Sequence, residues 1–227
     1  MSRLAAIALA VVVVVTASRA IAQTTLDFVT FDGIHYIRWP DEVGRSLQGS
    51  DLGIEFATVE CALYDDRQGC PFGRDAAAAY IPAGTHVYAV RGYRTNFRLA
   101  AVVNDRIFLY QAWRSATAKV GGDLYDIAGK VRAIDVRRGN AALSPPRVEP
   151  ARVTAPADRD ALVEMIVRGE MRAPQPHAFA EPRYWLTLWF ADGTTFDRPY
   201  FVETSELLGG LILPSEFRRV LEQYLRE

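Results

Sequence analysis

Histidine, cysteine and lysine are all scarce in this chain. Its 227 residues include three histidines and two cysteines, and Lys119 and Lys130 are the only lysines among 26 basic residues. His35, His86 and His177 are scattered, with no spacing that would bring them onto one metal ion. His35 and His86 stand in strand-like runs, where a half-exposed strand residue is the plain reading, and His177 lies in the proline-flanked loop APQPHAF. There is no G-x-S-x-G elbow, no H-E-x-x-H helix, no P-loop and no dinucleotide glycine pattern. No cofactor or metal is therefore expected. Net charge is also small, −1 for the whole chain and −3 without Arg3 and Arg19 of the N-terminal segment. Bulk electrostatics thus recruits neither nucleic acid nor an anionic membrane.

Long hydrophobic runs are absent too, with one partial exception. Leu4–Ala17 is an apolar or small run of 14 residues, preceded by Arg3 and followed by Ala20-Ile21-Ala22. A membrane-spanning helix needs about 20 apolar residues, whereas a positive start, a shorter apolar core and an A-x-A site describe a secretory signal. Residues 1–22 are expected to be removed, leaving a secreted, periplasmic or cell-envelope protein. Membrane attachment follows only if the segment is kept as an anchor. Export gives the two cysteines a meaning: in an oxidising compartment Cys61 and Cys70, separated by the turn-forming DDRQG, are expected to form a disulfide.

What is plentiful is strand-like sequence. From Ala76 to Trp113 the chain reads AAAAYIPAGTHVYAVRGYRTNFRLAAVVNDRIFLYQAW, apolar runs punctuated by turn residues. Asn104-Asp105 separates two such runs, and a two-residue turn there sets Val103 opposite Arg106, Ala101 opposite Phe108 and Leu99 opposite Tyr110. Both faces of that hairpin are largely apolar, which calls for a closed or covered sheet. Asp32-Gly33 marks another hairpin, and the composition of Ala76–Ala79 suits either strand or helix. Four prolines between residues 141 and 158 interrupt regular structure. Beyond them, a helix from about Ala157 to Arg168, strands at Tyr184–Phe190 and Thr195–Val202, and an amphipathic helix after Ser215 follow in order. Pro199 points to an edge position for the second strand.

The expected fold is therefore α+β. An antiparallel β-rich N-terminal module (23–140), a small barrel or covered sheet, leads through a proline-rich linker or crossing segment (141–157) into an α-β-β-α C-terminal module (158–227).

Two patches are candidates for ligand binding. Arg91, Arg94 and Arg98 surround Tyr93 in RGYRTNFR, a composition that serves either as an anion clamp or as a solvated loop and strand end. Trp185 and Trp189 share one strand face with Thr187; exposed they would form a recognition platform, and covered they would pack beneath a helix. The motifs D-G-x-x-Y (Asp32 to Tyr36), D-L-G-x-E (Asp51 to Glu55) and P-A-G-T-x-V-Y-x-V-x-G-Y (Pro82 to Tyr93) resemble uncharacterised bacterial extracytoplasmic proteins over the first module. That resemblance implies a surface or secreted location and assigns no catalytic residue. The expectation is an exported binding or interaction protein whose partner is a protein or a small polar ligand. The alternatives are an extracytoplasmic hydrolase built on His86 with an Asp or Glu, and a structural envelope protein.

Overall fold

A computed structural model describes residues 26–39, 43–64, 70–71, 73–139, 148–174 and 182–225. The expected signal segment and His177 lie outside these residues, as do most of the disulfide loop and the first half of the proline-rich segment.

The first eight strands form one sheet: β1 (Asp27–Phe31), β2 (Ile34–Arg38), β3 (Leu52–Thr58), β4 (Cys61–Ala62), β5 (Ala77–Ala78), β6 (His86–Val90), β7 (Arg98–Val103) and β8 (Arg106–Ser115). Its order is β3-β6-β7-β8-β2-β1-β5-β4. The strands at its two ends, β3 and β4, are separated in the chain only by Val59 and Glu60, so the sheet curls back on itself.

Local turn chemistry sets much of this register. Asp32 and Gly33 both take positive φ, as do Asn104 and Asp105, the geometry that lets a two-residue turn follow the twist of its strands. Val103 faces Arg106, Ala101 faces Phe108 and Leu99 faces Tyr110, the pairing expected from the sequence. Ala77 and Ala78 are extended and buried, so the strand alternative holds for these two residues, while Ala76 before them takes positive φ. Leu99, Ala101 and Tyr110 enter the main core with Val29, Phe31, Tyr36 and Val87, while Ala100 and Leu109 on the opposite face pack with Leu47 and Val90.

After the short helix α1 (Gly121–Leu124) the chain builds a second sheet from β9 (Val131–Gly139), β10 (Ala151–Arg152), β11 (Glu170–Met171), β12 (Arg183–Phe190), β13 (Thr195–Phe201), β14 (Glu206–Leu207) and β15 (Leu211–Ile212). Helix α2 (Pro156–Arg168) separates β10 from β11, and α3 (Ser215–Tyr224) ends the described chain. The strand order is β10-β9-β12-β13-β14-β15-β11.

This corrects the expected fold class. Among the described residues the protein is mostly β, 43% strand against 17% helix, with two sheets and three helices, and its second half is not an α-β-β-α unit. The helix–strand–strand–helix order is present, but it is a fragment of a seven-stranded sheet. β9 pairs along its whole length with β12, and four two-residue strands extend the sheet. Such short pieces carry no periodicity of their own, and the β9–β12 pairing is long-range. Pro199 is likewise not on an outer strand: β13 lies between β12 and β14. However, β14 pairs only with Tyr200 and Phe201; just past its end Leu208 N donates to the Pro199 carbonyl at 2.9 Å, so the missing proline N–H falls at the margin of that ladder.

One continuous core joins the two sheets. Phe97 at the start of β7 meets Phe196 of β13 with ring centroids 5.3 Å apart, and Phe190 of β12 at 6.2 Å. On that side of the second sheet Leu186, Leu188, Phe196 and Tyr200 pack with Leu162 and Ile166 of α2 and with Phe217 and Leu221 of α3. Fully burying side chains of this size contributes about 1.5–3 kcal/mol each.

Candidate functional site

The four residues of the RGYRTNFR patch have different surroundings. Arg98 is wholly buried: its guanidinium donates from Nη1 to Thr194 Oγ1 and from Nη2 to the Thr195 carbonyl, both at 2.7 Å. It lies 4.3 Å from the ring centroids of both Tyr93 and Phe190. Tyr93 is half-buried; its hydroxyl donates to Asp192 Oδ2 at 2.9 Å, and burial pushes its pKa up to about 12. Burial also pushes Asp192 upward, but hydrogen bonds from Thr194 and Tyr93 outweigh it and hold that carboxyl below its ordinary value. Arg91 and Arg94 are exposed, and each donates to a backbone carbonyl, Leu52 at 2.8 Å and Gly122 at 2.7 Å. Tyr93 and Arg98 are thus together at the junction of the sheets, and Arg91 and Arg94 are turned to separate neighbours.

The junction is reciprocal. Arg198 of β13, also wholly buried, donates from Nη2 to the Ala112 carbonyl of β8 at 2.7 Å. Gln111 of β8 donates from Nε2 to the Thr195 carbonyl that Arg98 already reaches. Each sheet therefore satisfies backbone acceptors of the other, as buried polar groups require.

The two tryptophans are placed apart. Trp185 is 1% exposed and meets Trp39 edge-on at 5.2 Å. Trp189 is half-buried, its Nε1 donating to Asp135 Oδ2 at 2.8 Å, and Asp135 in turn receives a two-pronged contact from Arg152 at 2.7 and 2.9 Å. Between them the buried Asp197 accepts hydrogen bonds from Thr187 at 2.6 Å and Thr195 at 2.9 Å. Burial outweighs those bonds and raises the Asp197 pKa. This face is a hydrogen-bonded layer, buried at Trp185 and Asp197 and open to solvent at Arg152.

His86 does find a carboxylate partner. Its Nδ1 lies 2.9 Å from Glu55 Oε1, but both side chains are at least half exposed on an open strand surface. Among the described residues no group of three or more His, Cys, Asp or Glu side chains is placed to hold a metal ion. Cys61 and Cys70 are bonded to each other, Cα to Cα 5.5 Å, consistent with an oxidising extracytoplasmic environment.

A concave site lies elsewhere, where the end of the β2–β8 pair meets β11 and the β14–β15 turn. It encloses about 390 Å³ and is lined by His35, Arg114, Ser115, Ala116, Ala118, Met171, Arg172, Ala173, Pro174 and Gly209. That volume is within the range of small-molecule sites, about 300–1,000 Å³. His35 and Arg114 are direct partners across β2 and β8. The half-buried imidazole has its Nδ1 3.2 Å from Thr30 Oγ1. Burial first, and then the Arg114 charge, hold its pKa below the ordinary value of 6.5, with Asp75 pulling weakly the other way. Arg172 is paired with Glu170 at 2.7 Å.

Gly209 forms the tight wall. With φ +113° it occupies backbone space that L side chains rarely adopt, and a Cβ there would fall 2.1 Å from the Trp113 carbonyl oxygen. Sequence reasoning recognised His35 as a strand residue but missed the cleft, whose lining comes from four separated stretches. Comparison of the chain with protein-family models, with curated proteins and with solved structures returned no match.

Proposed function

We propose that the protein is an exported binding protein whose ligand seats in the cleft formed by His35, Arg114, Met171, Arg172 and Gly209. The observation that carries this reading is the cleft itself: both sheets contribute to it, and it combines polar side chains with apolar walls from Ala116, Ala118, Met171 and Pro174. The signal-like residues 1–22 and the Cys61–Cys70 disulfide support export. The resemblance of the first module to bacterial extracytoplasmic proteins points the same way. A hydrolase centred on His86 is less favoured, because the His86–Glu55 pair stands on an open strand with no enclosing wall to position a substrate.

The test compares small molecules released on denaturation from wild-type protein and from Ala116→Trp, both recovered from the exported fraction. Ala116 is an exposed lining residue, so the tryptophan fills the cleft without entering the core. A compound present in wild type and absent from the variant supports the reading; identical contents refute it. N-terminal sequencing of the same material should start at Gln23.

A further inference from the structure

We infer that the cleft takes a singly charged organic acid, a carboxylate on a short hydrocarbon body, with Arg114 as its charge partner. This inference rests on the cleft being the binding site. Among the described residues the lining contains no carboxylate and three groups that can bear positive charge, His35, Arg114 and Arg172. Two of the three contribute no net cation. Glu170 already neutralises Arg172 at 2.7 Å. His35 is neutral at pH 7, since burial and the neighbouring arginine both oppose its protonation.

Arg114 is different. It is half-buried, its guanidinium lies 5.6 Å from the Trp113 ring centroid, and no carboxylate among the described residues stands within ion-pair distance of it. One uncompensated guanidinium matches one negative charge, and its planar fork suits a carboxylate. A second charge on the ligand would have no further uncompensated cation among the described lining residues to meet it. The rest of the ligand faces Ala116, Ala118, Met171, Ala173 and Pro174, which reward hydrocarbon over further hydroxyls or phosphate oxygens. Where Thr30 donates to His35 Nδ1, the ring proton sits on Nε2, a neutral donor suited to a carboxylate oxygen.

The test is calorimetric titration of the exported protein with four probes: hexanoate, its neutral isostere hexanamide, succinate and inorganic phosphate. Hexanoate is expected to bind at least about tenfold more tightly than each of the others, the discrimination a single charge-assisted contact provides. Arg114→Gln should weaken hexanoate at least about tenfold and leave hexanamide unchanged. Arg91→Gln, at an exposed arginine outside the cleft, should change hexanoate by less than about threefold. Hexanamide binding as well as hexanoate, tighter binding of succinate or phosphate, or no binding of any probe would each overturn the inference. The cleft reading fails separately. If Ala116→Trp leaves the co-purifying small molecules unchanged, the site is elsewhere; if it removes them while hexanoate does not bind, only the ligand class is wrong.

Discussion

Replacing Arg98 with methionine tests how the two sheets are held together. The wild-type guanidinium makes two hydrogen bonds of 2.7 Å across the junction and lies against three aromatic rings, Tyr93, Phe97 and Phe190. Hydrogen bonds from a charged donor contribute about 1.5–3 kcal/mol each, and a desolvated cation–π contact about 2. Against that gross gain stands the cost of keeping a guanidinium out of water, several kcal/mol. Both acceptors keep another partner when Arg98 is lost. The Thr195 carbonyl still receives Gln111 Nε2, and the Thr194 hydroxyl still donates to Asp192 at 2.7 Å. Methionine also fills much of the volume of the arginine stem. The expected net loss for Arg98→Met is therefore about 2 kcal/mol, a fall in Tm of roughly 4–8 °C for a chain of this size. Arg98→Ala adds a cavity and should cost about 4–5 kcal/mol. Urea unfolding of the disulfide-bonded protein at constant m-value measures both. A methionine variant within about 0.5 kcal/mol of wild type, or one as damaging as alanine, would refute the reasoning.

Two further perturbations address single groups. Asp197 has a folded-state pKa raised by burial, so its share of stability is fully present below the ordinary carboxyl pKa of 3.8 and is lost as pH rises through the folded value. Asp197→Asn should therefore gain stability relative to wild type as pH increases from 4 to 8, measured by Tm against pH; a constant difference would contradict the assignment. Gly209→Ala meets the Trp113 backbone as well as an unfavourable φ, so it should lower Tm by several degrees and reduce ligand capture in the cleft. Unchanged Tm would show that the turn relaxes.

The sequence made local features legible and left long-range ones hidden. Asn104-Asp105 determined the β7–β8 register residue by residue because turn geometry and strand alternation act over a few positions. Helix α3 was likewise visible from the spacing of Phe217, Val220 and Leu221. The second sheet was misread because β9 finds β12 only after the chain has passed the proline-rich segment and α2. Arg98 and Trp185 show the same limit at side-chain level. An arginine near a strand end suits a solvated position until a second sheet is laid over it, and a tryptophan alternating with leucines suits either a platform or cover by a helix, whereas Trp39 is what packs against it. The cleft had no local signature at all. His35 and Arg114 become neighbours only through β2–β8 pairing, and Arg172 and Gly209 arrive from the second sheet.

The most direct test of the cleft as the binding site is a ¹H–¹⁵N NMR titration of the exported protein with hexanoate. Signals from His35, Arg114, Ala116, Arg172 and Gly209 should move together along one saturating curve, with Arg91, Arg94 and Trp189 unmoved. Movement confined to Arg91, Arg94 or Trp189 while the cleft stays silent would contradict the account.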